Sequence, residues 1–165
     1  MMIRAITEND LSYIVQLRNK YIKFLRQKKI LTMKDQCKWF KNYNKDDKNY
    51  YFLTEIPINN IIIRGVIGLT DINWIDKHCE LSFISDNYID DDLYHCVFDF
   101  INHAFNDLDF NKIYNEVYEF DTKKIDLWNR LGFKQSAILK EHIFFDGKFL
   151  DCYIYHITKK EWHKK

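Results

Sequence analysis

The chain has 165 residues, 47% of them hydrophobic and 17% aromatic, with only four Gly and one Pro, which fits one domain over 1–165 with a substantial core and no linker. No run reaches the roughly 18 apolar residues of a membrane span, and MMIRAITENDL lacks a signal-type apolar region, so the reading is a cytoplasmic protein with no membrane partner. The net charge of +1 hides a segregation: residues 18–48 hold eleven Lys/Arg against three Asp, while 78–111 hold eight Asp/Glu and no Lys or Arg, so the molecule should be electrically two-sided.

In chain order, MIRAI predicts a short strand, and Asn9 or Asp10 can cap the helix that follows. Within DLSYIVQLRNKYIKFLRQ, Leu11, Ile14, Val15, Tyr21, Ile22 and Leu25 gather on one face at the 3.6-residue period, with Arg18 near its middle. A guanidinium does not sit unpaired in a core, so Arg18 either snorkels to an edge or meets a carboxylate or other anion, as structural pairing or as a substrate contact. Thr32 and Asp35 resemble a capping box opening a second helix. Its apolar side carries Met33, Cys37, Trp39, Phe40 and Tyr43. The basic run over these helices could neutralise phosphates, but the aromatic interleaving of RNA-binding modules is missing, so no nucleic-acid partner is expected.

YYFLTEI, IIIRGVIGLTDINW and HCELSFI predict three strands in an antiparallel meander, turning at 57–60 and 75–77. Leu93, Val97, Phe100, Ile101, Ala104, Phe105 and Leu108 form the clearest helical stripe. KIYNEVYEF, reached through that helix, should lie parallel to a strand already placed. Asp121 or Thr122 caps TKKIDLWNRLG, which Gly132 ends, and FKQSAILKEHIFF with FLDCYIYHI make a hairpin through Asp146-Gly147. Cys37, Cys79, Cys96 and Cys152 lie too far apart for C-x-x-C zinc spacing or a dense disulfide framework and read as buried reduced thiols.

This order, ending in DLWNRLGFKQSAIL and DGKFLDCYIY, resembles the GNAT superfamily of acyl-CoA-dependent N-acetyltransferases from Ile3 to Ile157. LWNRLGFK resembles the family's L-Y-e-k-L-G-F-k segment, VIGLTDINWIDKHCELSFI is similar to its central i-G-x-h-x-h and A-E-h-x-h strands, and INHAF to its y-A-F. LRN at 17–19 and QCKWF resemble the branch that acetylates amino groups on nucleotide-linked sugars, with the ribosomal-protein acetyltransferases as near neighbours. The resemblance implies an α/β fold of the α+β kind, with a mixed, mostly antiparallel sheet of about seven strands and about four helices. It implies transfer of an acetyl group from acetyl-CoA to a primary amine, with a small anionic acceptor such as a nucleotide-linked amino sugar, and it allows a homodimer.

Amine acylation needs a base for the ammonium, donors for the oxyanion and an acid for the leaving thiolate. Glu80 matches the A-E-h position and is the expected base, acting through water; a strand glutamate paired with a lysine is the plain alternative. Phe83, Ile84 and Ser85 are the residues whose backbone would bind pantetheine and the acyl carbonyl, as the resemblance implies. Trp128 stands at the cofactor-side position where many members carry the Tyr that protonates the thiolate. An indole N–H is no usable acid at neutral pH, so Tyr118, or Tyr114, is the expected substitute. Arg18 and Asn19 are the expected acceptor contacts, with the basic helices steering an anionic acceptor.

One segment departs from the family pattern. Where its pyrophosphate turn Q/R-x-x-G-x-G/A should fall, ISDNYIDDDLYH has no Gly, Arg or Lys. Asp90, Asp91 and Asp92 instead read as an N-cap and acidic first helical turn, worth about 1 kcal/mol for the cap. A carboxylate ~4 Å from a phosphate at an effective dielectric of ~20 costs about 4 kcal/mol before screening, roughly a thousandfold in affinity. The expectation is therefore acetyl-CoA held weakly at this corner, or through a bridging divalent cation, and the rival reading is a catalytically silent GNAT-fold binding domain.

Overall fold

The computed structural model describes residues 2–27, 29–43, 45, 47–58, 61–86 and 91–164, the side chains of 57, 58, 61, 63 and 92 excepted. The elements follow the order read from the sequence. They are β1 (Met2–Ala5), α1 (Leu11–Lys20), α2 (Met33–Tyr43), β2 (Tyr50–Ile58), β3 (Ile61–Asn73), β4 (His78–Ser85) and α3 (Asp91–Asn106). After these come β5 (Lys112–Tyr118), α4 (Thr122–Arg130), β6 (Lys134–Phe145), β7 (Lys148–Thr158) and α5 (Lys159–Trp162).

Local chemistry sets the boundaries. Asp10 turns its carboxylate back to Thr7, accepting from Thr7 N–H and Oγ1 at 2.8 Å each, and receives both Arg4 nitrogens at 2.8 Å, which fixes the entry to α1. The Thr32–Asp35 box opens α2, with Thr32 Oγ1 donating to Asp35 at 2.7 Å. Asp121 accepts from the Lys124 N–H at 3.3 Å and caps α4. Asp146 and Gly147 have φ of 50° and 75°, the left-handed pair that a tight hairpin needs. The single turn α5 goes beyond the four helices expected. Thr158 and Glu161 cap it through a T-x-x-E signature whose following segment is too short to show a period.

The seven strands form one sheet in the order β1-β2-β3-β4-β5-β7-β6, antiparallel throughout except for parallel β4 and β5. One face carries Leu53, Val66 and Ile84 against Leu11, Ile14 and Leu17 of α1. The other packs Ile67, Leu69, Leu81 and Phe83 against Val97, Ile101 and Phe105 of α3 and Leu127 and Trp128 of α4. Cys79, Cys96 and Cys152 are buried, and Cys37 is partly so. Among the described residues, no helix is long and apolar enough to cross a membrane.

Candidate active site

The site grows out of the one parallel strand pairing among the described residues. β4 and β5 pair only over His78–Glu80 and Lys112–Tyr114, although β4 runs on to Ser85 and β5 to Tyr118. Beyond Glu80 the two strands part, and Asn115 bridges the start of the gap by donating Nδ2 to the Leu81 carbonyl at 2.5 Å. A cleft of about 490 Å3 opens there, on the face covered by α1 and α2.

Glu80 and Ser82 line the cleft, because strand alternation puts them on the same face as Ile84. Glu80 is 7% exposed. Its carboxylate accepts from Thr70 Oγ1 at 3.1 Å and from Arg26 Nη2 at 2.5 Å. Burial pushes its pKa up; Arg26 opposes this, and the neighbouring Glu116 adds to it. Arg26 also pairs with Glu116 at 2.9 Å, so one guanidinium lies between two carboxylates. Asp71 adds another carboxylate to the wall, at a bulge in β3 where its φ of 47° departs from strand geometry.

Tyr118 lines the opposite wall, and burial raises its pKa, keeping its proton in place at neutral pH. Lys124 reaches the cleft from the first turn of α4, 8% exposed, with its amine 3.7 Å from Asp121. Burial lowers its pKa, against the pull of Asp121. Asn115 Oδ1 is buried with no partner among the described residues, an acceptor left over beside the gap.

A sequence profile of the acetyltransferase (GNAT) domain matches residues 3–154. The chain belongs to the GNAT acetyltransferase family. No curated protein matches it by sequence. Among solved structures, spermidine N-acetyltransferase from Vibrio cholerae in complex with CoA and spermine superposes with a TM-score of 0.89 at 20% identity, covering 98% of this chain and 97% of that one. A chimera of that enzyme with hSSAT gives 0.87 at 21% identity, over 99% and 98% of the two chains. At such identities these neighbours establish the GNAT fold.

The structure gathers only part of the residue set read from the sequence. Glu80, Tyr118, Phe83 and Arg18 line the cleft, and Ile84 lines a smaller pocket beside it. Ser85 is 1% exposed, with its Oγ directed to the Arg64 carbonyl at 3.5 Å. Asn19 stands elsewhere: its Nδ2 donates to the Leu31 carbonyl at 2.9 Å and its Oδ1 accepts from the Leu31 N–H at 2.8 Å, so its amide holds the connection between α1 and α2. Trp128 is wholly buried against Phe133 beneath α4, outside the cleft lining.

The acidic corner also needs correction. Asp91 pairs with Arg130 of α4 at 2.7 Å, and that guanidinium lies 5.0 Å from the centre of the Tyr94 ring. The cation missing from the local sequence thus arrives from the end of α4, and an unopposed charge at Asp91 is not what a phosphate would meet. Asp90 lies outside the described residues, as does the side chain of Asp92. Among the described residues, no three His, Cys, Asp or Glu are grouped to hold a metal ion.

Sequence reasoning missed Arg26, Glu116, Asn115 and Lys124. Arg26 lay within the basic run of 18–48, which singles out none of its members, and Glu116 carried a visible signal only in its two-residue spacing from Tyr118, which puts both on one face of β5.

Proposed function

We propose that the chain transfers an acetyl group from acetyl-CoA to a primary amine, and that the acceptor is a small polycation of the polyamine class. The observation that carries the reading is Glu80, a buried carboxylate with a raised pKa set where β4 leaves β5. A base with its pKa lifted toward the working pH is what proton abstraction from an ammonium requires.

When bound, acetyl-CoA supplies an acyl carbonyl already activated by its thioester. The β4 segment at Phe83, Ile84 and Ser85 is the edge along which pantetheine would run, and the leftover Asn115 Oδ1 offers an acceptor to one of its amide N–H groups. Trp128 contributes by packing α4 against the sheet. Glu80, through water, takes a proton from the acceptor ammonium. The amine nitrogen forms its bond to the acyl carbon as the carbon–sulfur bond breaks, and Tyr118 gives its proton to the departing sulfur. The nitrogen, which still carries two protons after its attack, gives one up through water to Tyr118 and so restores the phenol; Glu80 passes its proton to solvent, and the products are the amide and the free thiol.

Support for a cationic acceptor comes from the cleft walls, where Asp71, Glu80, Glu116 and Asp121 face three cations, Arg18, Arg26 and Lys124. Arg26 already holds the place that an acceptor ammonium would need between Glu80 and Glu116. The spermidine acetyltransferases of the same fold point the same way. A second acceptor, the amino group of a nucleotide-linked sugar, is favoured by one observation: Arg18 reaches the cleft without a carboxylate pair among the described residues, beside a basic segment at 18–48. Initial rates of CoA release with spermidine and with a nucleotide-linked amino sugar decide between them. Turnover of spermidine alone is expected; turnover of the sugar alone overturns the polyamine assignment, and turnover of neither overturns both.

A further inference from the structure

A side pocket of about 100 Å3 branches from the cleft beneath α1 and α2. Arg18, Tyr51, Ser82 and Phe83 line both spaces, so the pocket opens where β4 would present the acyl carbonyl. Its remaining wall is largely apolar, from Ile14, Trp39, Val66 and Ile84.

Among the polar side chains of this lining, Gln36 has no side-chain partner and Arg18 no counter-charge among the described residues. Gln36 on the first turn of α2 is 1% exposed, and neither its Oε1 nor its Nε2 has a partner among the described residues. Arg18, on the last turn of α1, donates to the neutral Oε1 of Gln27, and no carboxylate pairs with it among the described residues. Burial lowers the pKa of this guanidinium. A desolvated cation and an unmatched amide facing one small space are costly unless an anion completes them.

Resting on the acyl-CoA reading above, the geometry points to a subsite for a carboxylate at the far end of the transferred acyl group, held by Arg18 and Gln36, so that the cleft takes, beside acetyl-CoA, a short dicarboxylic monothioester such as succinyl-CoA and binds it more tightly. The space equals that of about three waters, which a two-carbon chain ending in a carboxylate fills and an acetyl methyl does not. The donor is the source of the anion because the cleft, where the acceptor would sit, is walled by Asp71, Glu80, Glu116 and Asp121, which disfavour an anionic acceptor. The chemistry of transfer is unchanged: the same carbon–sulfur bond breaks, and the terminal carboxylate takes no part.

The test compares Kd values of acetyl-CoA and succinyl-CoA by titration calorimetry for the wild type, Arg18→Met and Gln36→Leu. Succinyl-CoA is expected to bind the wild type about tenfold or more tightly than acetyl-CoA, as a charge-assisted hydrogen bond allows, and both substitutions should bring that ratio close to one. Gln36→Leu swaps one buried side chain for an apolar one of similar volume and keeps the test available if Arg18→Met does not fold. A wild-type ratio near one, or a ratio that neither substitution changes, overturns the subsite. A donor ratio near one together with Arg18-dependent turnover of 4-aminobutyrate over butylamine assigns the anion to the acceptor and overturns the donor assignment. Absence of binding by either thioester would instead strike the acyl-CoA reading itself.

Discussion

The cleft and the side pocket share a wall but handle charge in opposite ways. In the cleft, Arg26 lies between Glu80 and Glu116, so both acids already have a cation partner, shared between them, before any substrate arrives. In the side pocket, against a largely apolar wall, the Gln36 amide has no partner and Arg18, bonded to Gln27, has no counter-charge among the described residues. A satisfied site exchanges one cation for another at little cost, whereas an unsatisfied one gains whenever an ion of the right sign enters. The first arrangement suits a mobile cationic acceptor, the second a fixed recognition point.

The largest expected effect concerns the satisfied side. Glu80→Gln should lower kcat by about 10²- to 10⁴-fold, read in a steady-state assay, because a carboxamide takes up no proton. The variant should nevertheless fold. Because Glu80 binds its proton more tightly folded than unfolded, its contribution to stability is fully present below the unfolded pKa near ~4.3 and is lost as pH rises through the raised folded value. Thermal melts across that window should therefore show a smaller decline for Glu80→Gln than for the wild type. Tyr118→Phe comes next, with a loss of about 10²-fold in kcat and a weaker fall in rate on the alkaline side of the pH profile.

A smaller pair of effects sets the two guanidiniums against each other. Arg26→Met leaves Glu80 and Glu116 facing one another and should destabilise by about 1 kcal/mol, a modest figure because Arg26 is half exposed. Arg18→Met removes a desolvated cation that no carboxylate pairs among the described residues and should be neutral or stabilising by about 1 kcal/mol. Chemical denaturation of both variants reads the two signs directly. The smallest effect is on pH dependence: losing Arg26 should move the rise of kcat/KM to higher pH, since Glu116 then acts on Glu80 without its cation.

Most of the fold was legible because it is written locally. The capping pairs Thr32–Asp35 and Asp121–Lys124, the Asp146-Gly147 turn and the stripe from Leu93 to Phe105 each announce an element within a few residues. Glu80 was legible for the same reason, as one residue of a strand segment resembling a family pattern. What was hidden depends on distant partners. No local pattern says that Arg130 will neutralise Asp91, 39 positions earlier, or that Arg26 will leave a lysine-rich stretch to sit against β4 and β5. Asn19 and Trp128 show the converse: a short motif suggests a contact, while the structure uses one as a clamp on Leu31 and the other as core. Gln36, on a helix whose other residues are partly or fully exposed, gave no sign that it would be its one buried residue.

The gap between β4 and β5 is the feature on which the whole functional reading depends. Melting the wild-type protein with acetyl-CoA across a concentration series tests it most directly. The account predicts a saturable rise in melting temperature, equivalent to about 2.7 kcal/mol at a hundredfold excess over Kd. An unchanged melting temperature at millimolar acetyl-CoA would contradict it.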